Sequence, residues 1–319
     1  MHILVSDNLA REGLDVLEKA EGISLHASGK MSRDEVLAVI DQADGMIVRS
    51  GTKADKELLE KASKLKAIVR AGVGVDNIHL PTATERGIVV MNTPAGNTIA
   101  TAELTLGLMI SLARHIPQAQ AALVGGHWDR KAYMGTELRD KTLGIIGFGR
   151  VGQAVAKRAQ VFEMDVITYD PNVDRGIVDA QNVKLVTLDE LFAQADYISL
   201  HAVASPETDD MINAWSIAKM KDGVRIINAA RGTLVNAGDL AKAIKTGKVA
   251  GAALDVYEVE PPPANHPLIG LPQVIDTPHL GASTKEAQIA VAVEAAETLL
   301  NALLHQDYRN VVNEEVLEL

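Results

Sequence analysis

The sequence predicts an α/β protein of two doubly wound lobes, each a parallel sheet covered by helices, with a cleft between them. Three observations predict it. Apolar runs of four or five residues alternate with helix-period segments along nearly all of the 319 residues, the pattern of repeated βα units. That length exceeds what a single core usually absorbs. Aromatic residues make up only 3% of a chain that is 47% hydrophobic, so the interior must be built from Ala, Val, Ile and Leu, which suits parallel strands buried on both faces.

In the N-terminal third, strands are expected at 2–6, 23–26, 45–49, 67–70 and 88–91, with helices at 11–20 and 32–43 between them. Ser32-Arg33-Asp34-Glu35 reads as a capping box, which satisfies the orphaned N–H groups of a helix start. A long helix over about 98–113 leads away from this lobe and is followed by the polar segment Gly125-Gly126-His127-Trp128-Asp129-Arg130. A second βα series runs from Thr142 to about Leu280 and contains a second capping box, Thr187-Leu188-Asp189-Glu190. Ser283-Thr284-Lys285-Glu286 reads as a third, opening a last helix over about 286–304. Pattern alone does not say which lobe that helix joins.

Composition excludes several classes of function. The net charge is −11 with no Lys/Arg run, so bulk attraction to nucleic acid is not expected. The absence of cysteine rules out disulfides and any Cys-ligated metal, and no metal is expected. No stretch approaches the roughly 18 uninterrupted apolar residues that span a bilayer. Met1-His2-Ile3-Leu4-Val5 enters a strand directly, without the charged n-region of a signal peptide. The expectation is a cytoplasmic protein with no membrane partner.

The strongest motif is Gly144-Ile145-Ile146-Gly147-Phe148-Gly149-Arg150-Val151-Gly152, an apolar strand running into G-x-G-x-x-G, with a helix pattern over 153–160 behind it. Gly147 permits the tight turn, Gly149 lets the backbone approach a pyrophosphate, and Gly152 lets helix and strand pack closely. The helix N-terminus offers its N–H groups to phosphate. A second strand over 164–169 ends at Asp170, eighteen residues past Gly152. A carboxylate there accepts hydrogen bonds from ribose hydroxyls and repels a 2′-phosphate, so NAD is expected rather than NADP. A lone glycine motif is weak; this one stands in the strand–turn–helix context that the function requires.

Three later segments carry polar residues in apolar surroundings: Ile226-Ile227-Asn228-Ala229-Ala230-Arg231-Gly232, Ala253-Leu254-Asp255-Val256-Tyr257-Glu258-Val259-Glu260-Pro261, and Asp276-Thr277-Pro278-His279-Leu280-Gly281-Ala282-Ser283. Hydride chemistry on a hydroxy acid needs a base, a carboxylate to stabilise the imidazolium, and a guanidinium to grip the substrate carboxylate. His279, Glu260 and Arg231 suit those roles. Read by residue type alone, each has a plainer alternative. A histidine after a proline is more often a hydrogen-bonded loop residue, an arginine can serve only a salt bridge, and Glu260 could cap a turn before its prolines.

These segments, with the glycine motif and Met91-Asn92-Thr93-Pro94-Ala95-Gly96-Asn97 followed by Thr101-Ala102-Glu103, resemble the signatures of the D-isomer-specific 2-hydroxyacid dehydrogenase family over nearly the whole chain. The resemblance implies two Rossmann-like domains and NAD-dependent hydride transfer, with Arg231, Glu260 and His279 as the catalytic residues. It also implies Asp255 at the nicotinamide carboxamide and Arg150-Val151 at the pyrophosphate. Val73, Ala202, Ala229, Ala230 and Gly281 are then expected along the cofactor. The substrate domain is expected to be discontinuous, 1–97 plus 286–319, with the NAD-binding domain inserted over 98–285 and forming the interface of a homodimer or higher homo-oligomer.

Within the family, Val48-Arg49-Ser50, the run from Val69 to Asn77, His127-Trp128-Asp129-Arg130-Lys131 and the run from Leu280 to Gln288 resemble the branch that oxidises 3-phospho-D-glycerate for serine biosynthesis. A phosphate carries close to two negative charges and needs several cationic donors. Arg49, Arg70 and Arg130 are the candidates, with Gly72 and Asn97 beside the substrate. The alternative is another 2-hydroxyacid enzyme of the family, acting on glyoxylate, hydroxypyruvate or D-lactate. Tyr169-Asp170-Pro171 lacks the arginine of many NADP-linked reductases, and Glu260 replaces the Gln of formate dehydrogenase relatives. An NAD-sensing corepressor would keep the same fold; catalytic turnover separates that class from an enzyme. Two departures stand out. The family usually reads His-Thr-Pro-Leu where this chain has His201-Ala202-Val203-Ala204, and 319 residues leave no room for a C-terminal regulatory region, so feedback by serine through one is not expected.

Overall fold

The structure, a computed structural model, describes residues 1–318. It divides into two compact units: Met1–Asn97 joined by the segment from Ser283 onward, and Thr98–Ala282.

The first unit is a five-stranded parallel sheet of β1 (His2–Val5), β2 (Ser24–Ala27), β3 (Gly45–Val48), β4 (Ala67–Arg70) and β5 (Val89–Asn92), in the order β2-β1-β3-β4-β5. Each strand lies within a residue or two of its expected position. The helix expected over 32–43 is shorter, ending at Val39 before a 3-10 turn Ile40–Gln42. Its capping box at Ser32 and Glu35 is formed.

The last helix, Lys285–His305, belongs to this unit. Val291, Ala295, Leu299 and Ala302 are buried with Ile3, Val5, Ile47 and Val69, each large side chain worth roughly 1.5–3 kcal/mol against exposure. Small residues bring its backbone close: a Cβ on Gly13 would lie 2.6 Å from the Ala292 carbonyl oxygen, and one on Gly96 2.6 Å from Val291 Cγ2. By length and composition this helix could cross a membrane, yet half of its apolar window is buried. The expected capping box at Ser283 is not formed. Thr284 is the N-cap and accepts from the Ala287 N–H; the third helical residue is then an alanine, with no carboxylate to return the bond.

The second unit is a seven-stranded parallel sheet of β6 (Thr142–Ile146), β7 (Asp165–Tyr169), β8 (Lys184–Leu185), β9 (Tyr197–Leu200), β10 (Val224–Asn228), β11 (Val249–Leu254) and β12 (Val274–Asp276), in the order β12-β11-β10-β9-β6-β7-β8. This is the Rossmann arrangement, with its topological switch between β6 and β9. The helix Thr98–Arg114 covers one face together with Arg150–Val161; Leu106, Met109 and Leu112 are buried there with Leu143, Val155, Ile227 and Ala253. A 63° bend follows Arg114, and the helix after it, Ile116–Val124, buries none of its residues.

Candidate active site

The carboxyl ends of the second unit's strands carry nearly every residue the sequence singles out there. After β6 the chain turns at Gly147, whose φ of +91° lies in the region glycine favours. A Cβ on Gly147 would stand 2.6 Å from the Ala202 nitrogen at the end of β9. One on Gly152 would stand 2.2 Å from the Gly147 carbonyl oxygen. The chain's own packing therefore demands both glycines. Gly149 differs: its Cβ would meet nothing within 4 Å. It precedes the helix Arg150–Val161, which has no side-chain cap, whereas Ser32, Asp55, Thr187 and Thr284 cap theirs. Open space before uncapped N–H groups of Arg150, Val151 and Gly152 fits a pyrophosphate.

Asp170, just past β7, accepts a hydrogen bond from the Phe148 N–H through Oδ2 at 2.8 Å and from the Asn172 N–H through Oδ1 at 2.9 Å. It thus ties the glycine turn to the second strand, and each oxygen retains a lone pair for a ribose hydroxyl. Burial pulls the neighbouring His201 imidazole down to about 4, so it is neutral near pH 7. Its Nε2 lies 2.8 Å from the Ser199 hydroxyl, and its backbone N–H donates to the Ile146 carbonyl.

His279, Glu260 and Arg231 follow β12, β11 and β10. Glu260 Oε2 stands 2.6 Å from His279 Nδ1. An ionised carboxylate only accepts, so Nδ1 carries the hydrogen and Nε2 is left with a lone pair for an incoming proton. The other oxygen, Glu260 Oε1, accepts from the Tyr257 N–H at 3.1 Å. His279 adopts a left-handed backbone conformation, φ +55°, and its N–H donates to the Asp255 carbonyl at 2.8 Å.

Asp255 is fully buried, and its carboxylate accepts from the Thr277 hydroxyl at 2.6 Å, the Leu280 N–H at 2.7 Å and the Gly281 N–H at 2.8 Å. Those donors bracket His279 on both sides, so Asp255 holds the histidine's loop in shape. Asn228, buried at the end of β10, accepts from the Ala230 N–H and donates to the Arg231 carbonyl, setting the Ala229–Ala230–Arg231 turn. Sequence reasoning assigned no role to Asn228 or Thr277; the usable signal was a polar side chain closing an apolar strand.

In the first unit, Arg49 and Arg70 close the adjacent strands β3 and β4, in which Val48 is the register partner of Arg70. The Arg49 N–H donates to Asp7 Oδ2 at 2.6 Å, across the β1/β3 switch of that sheet. Arg49 also borders a cavity of about 530 Å³ shared with Thr284 and Lys285 at the start of the last helix. Arg70 crosses over Gly72: a Cβ on that glycine would displace the guanidinium, and the φ of +144° there would strain any other residue. Val73 follows, its carbonyl accepting from Asn92 Nδ2 at 2.6 Å. Asn97 Oδ1 and the Thr93 hydroxyl are buried without a hydrogen-bond partner, the condition a bound polar group would relieve. Thr93 was not singled out in the sequence. Arg130 lies in the second unit, in the exposed turn that follows His127 and Trp128.

Residues 106–281 match the family model described as D-isomer specific 2-hydroxyacid dehydrogenase, NAD binding domain. The chain is 47% identical to a D-3-phosphoglycerate dehydrogenase of Archaeoglobus fulgidus over 313 residues, covering 98% of this chain and 59% of the relative. It is 48% identical to one of Methanocaldococcus jannaschii over 312 residues, with the same coverage. It therefore spans about three fifths of the length of these curated relatives. Among solved structures, a glyoxylate reductase from Paecilomyes thermophila superposes with a TM-score of 0.89 at 31% identity, covering 99% of both chains.

Proposed function

On the premise that this chain belongs to the D-isomer specific 2-hydroxyacid dehydrogenases and carries their NAD-binding domain, we propose that it oxidises 3-phospho-D-glycerate to 3-phosphooxypyruvate, the first step of serine biosynthesis. The observation that carries the reaction type is the Glu260–His279 pair, with Nε2 left as the accepting nitrogen. NAD, when bound, accepts the hydride that leaves C2 of the hydroxy acid. His279 Nε2 takes the hydroxyl proton, Glu260 stabilises the imidazolium through Nδ1, and Arg231 grips the substrate carboxylate and polarises the C2 oxygen. Asp255 keeps the His279 loop in register and is assigned to the nicotinamide carboxamide. Asp170 is assigned to the ribose, and the 147–152 turn to the pyrophosphate.

Support for the phosphorylated substrate comes from the two relatives at 47% and 48% identity and from Arg49 and Arg70 on adjacent strand ends. These arginines and Arg130 are assigned to the phosphate, with Gly72 and Asn97 beside the substrate. The test is Arg70→Ala, expected to raise KM for the phosphorylated substrate at least tenfold while sparing turnover of D-lactate or glyoxylate. Equal loss on both would overturn the phosphate assignment. The match to a glyoxylate reductase over 99% of both chains favours, as the second reading, a reductase of glyoxylate, hydroxypyruvate or another unphosphorylated 2-hydroxy acid.

The proposed partner is a second copy of the chain, in a cytoplasmic homodimer or higher homo-oligomer formed through the NAD-binding unit. The helix Ile116–Val124 leaves Ile116, Leu123 and Val124 exposed, and Trp128 and Met134 beyond it are each 79% exposed, a set of apolar side chains that association would cover.

A further inference from the structure

Tyr257 stands just past β11 and is 8% exposed. Four separate contacts leave it. Its backbone N–H donates to Glu260 Oε1 at 3.1 Å, fixing the carboxylate whose other oxygen meets His279. Its carbonyl abuts the residue after Arg231: a Cβ on Gly232 would stand 1.9 Å from the Tyr257 carbonyl carbon and 2.2 Å from its oxygen. Its hydroxyl donates to Asp276 Oδ1 at 3.0 Å, at the end of β12 and three residues before His279. Its ring meets the His266 ring edge-on, with centroids 5.4 Å apart and planes at 90°.

His266 closes the loop that carries Glu260. Its Nδ1 accepts from the Leu268 N–H at 3.4 Å, so its Nε2 carries the hydrogen and donates to Glu258 Oε2 at 3.2 Å. The tyrosine is thus wedged into a loop braced at both ends.

We propose that Tyr257 is a positioning residue for the reaction, a strut whose peptide and hydroxyl hold the segments of Arg231, Glu260 and His279 in one arrangement. The inference rests on the reading that those three residues carry hydride transfer. The tyrosine touches no reacting atom in this account. Its hydroxyl sets the spacing between the β11 loop, which bears the carboxylate, and the β12 end, which bears the base. Burial pushes the hydroxyl's ionisation well above its ordinary value, so it remains a donor to Asp276 at working pH. A displacement of the order of 1 Å at such a pair costs about a hundredfold in rate, so loss of one brace is expected to cost about ten- to a hundredfold.

The test is Tyr257→Phe in the full chain, assayed with NAD and 3-phospho-D-glycerate or, in reverse, with NADH and glyoxylate. The expected result is kcat reduced at least tenfold, with KM and the NADH dissociation constant within twofold of wild type. The double variant with Glu260→Gln should be no slower than Glu260→Gln alone, because both changes act on one pair. Asp276→Ala removes the acceptor of that hydrogen bond and should reproduce the kcat loss, which keeps the proposal testable if Tyr257→Phe folds poorly. Unchanged kcat, or losses that add to those of Glu260→Gln, would overturn it. If His279→Ala keeps wild-type turnover, the triad reading itself fails; if His279→Ala is inactive and Tyr257→Phe is not slowed, only the strut fails.

Discussion

Replacing Asp255 by Asn changes one atom's chemistry at the point where the His279 loop is tied down. The carboxylate accepts three hydrogen bonds, from the Thr277 hydroxyl and the Leu280 and Gly281 N–H groups, and is fully buried. Hydrogen bonds to a charged group contribute about 1.5–3 kcal/mol each, and a buried donor left unpaired costs about 1–3 kcal/mol. Asn keeps one accepting oxygen and turns an amide NH2 toward N–H groups that it cannot accept from. At least one bond is therefore lost and one N–H left buried and unpaired, for a combined cost of about 2.5–6 kcal/mol. For a unit of this size, at about 2–4 °C per kcal/mol, that corresponds to a fall in Tm of roughly 5–24 °C. The loop that relaxes carries the base, so kcat is expected to fall about a hundredfold. The assay pairs steady-state turnover with calorimetric Tm and a fluorescence titration of NADH. A lowered Tm with kcat within threefold of wild type would refute the reasoning, since the loop would then be held without the carboxylate. A raised NADH dissociation constant with unchanged kcat at saturation would leave only the carboxamide contact.

Two further substitutions probe the glycine turn in opposite ways. Gly149→Ala meets open space and should keep stability within about 1 kcal/mol, while weakening NADH binding at least tenfold by titration. Gly152→Ala pushes against the Gly147 carbonyl and should destabilise by about 1–3 kcal/mol in urea melts. His201 adds a pH dependence. Its folded-state value of about 4 lies below the ordinary 6.5, so the unfolded chain binds the extra proton first. Stability from this group is complete above about pH 6.5 and drains as pH falls toward 4, by at most about 3 kcal/mol. Urea midpoints measured from neutral pH down to about pH 5 should fall less in His201→Gln than in wild type; equal falls would place the acid sensitivity elsewhere.

What could be read in the sequence was what acts locally. Strand runs, capping boxes at Ser32 and Thr187, and the glycine turn depend on neighbours a few residues away, and they formed. At Ser283-Thr284 two adjacent hydroxyls compete for one cap, and pattern cannot decide a one-residue shift. The last helix reads as Ala- and Val-rich but carries no sign of its partner, because Gly13 and Ala292 meet only in the folded unit. The contacts that shape the site were hidden for the same reason. Asn228 reaches the Arg231 turn, Asp255 reaches Leu280 and Gly281, and Tyr257 reaches Asp276, contacts made where strand ends distant in sequence come together at one edge of a sheet. Polar residues closing apolar strands were visible; what each one holds was not.

The most direct test of the functional reading is a steady-state comparison of 3-phospho-D-glycerate, D-glycerate and D-lactate with the wild-type chain and NAD, following NADH formation. The account predicts that NADH forms with the D-hydroxy acids and that kcat/KM for the phosphate ester exceeds that for D-glycerate at least a hundredfold. Equal use of D-glycerate would contradict the phosphate assignment, and no NADH from any of the three would contradict hydride transfer to NAD itself.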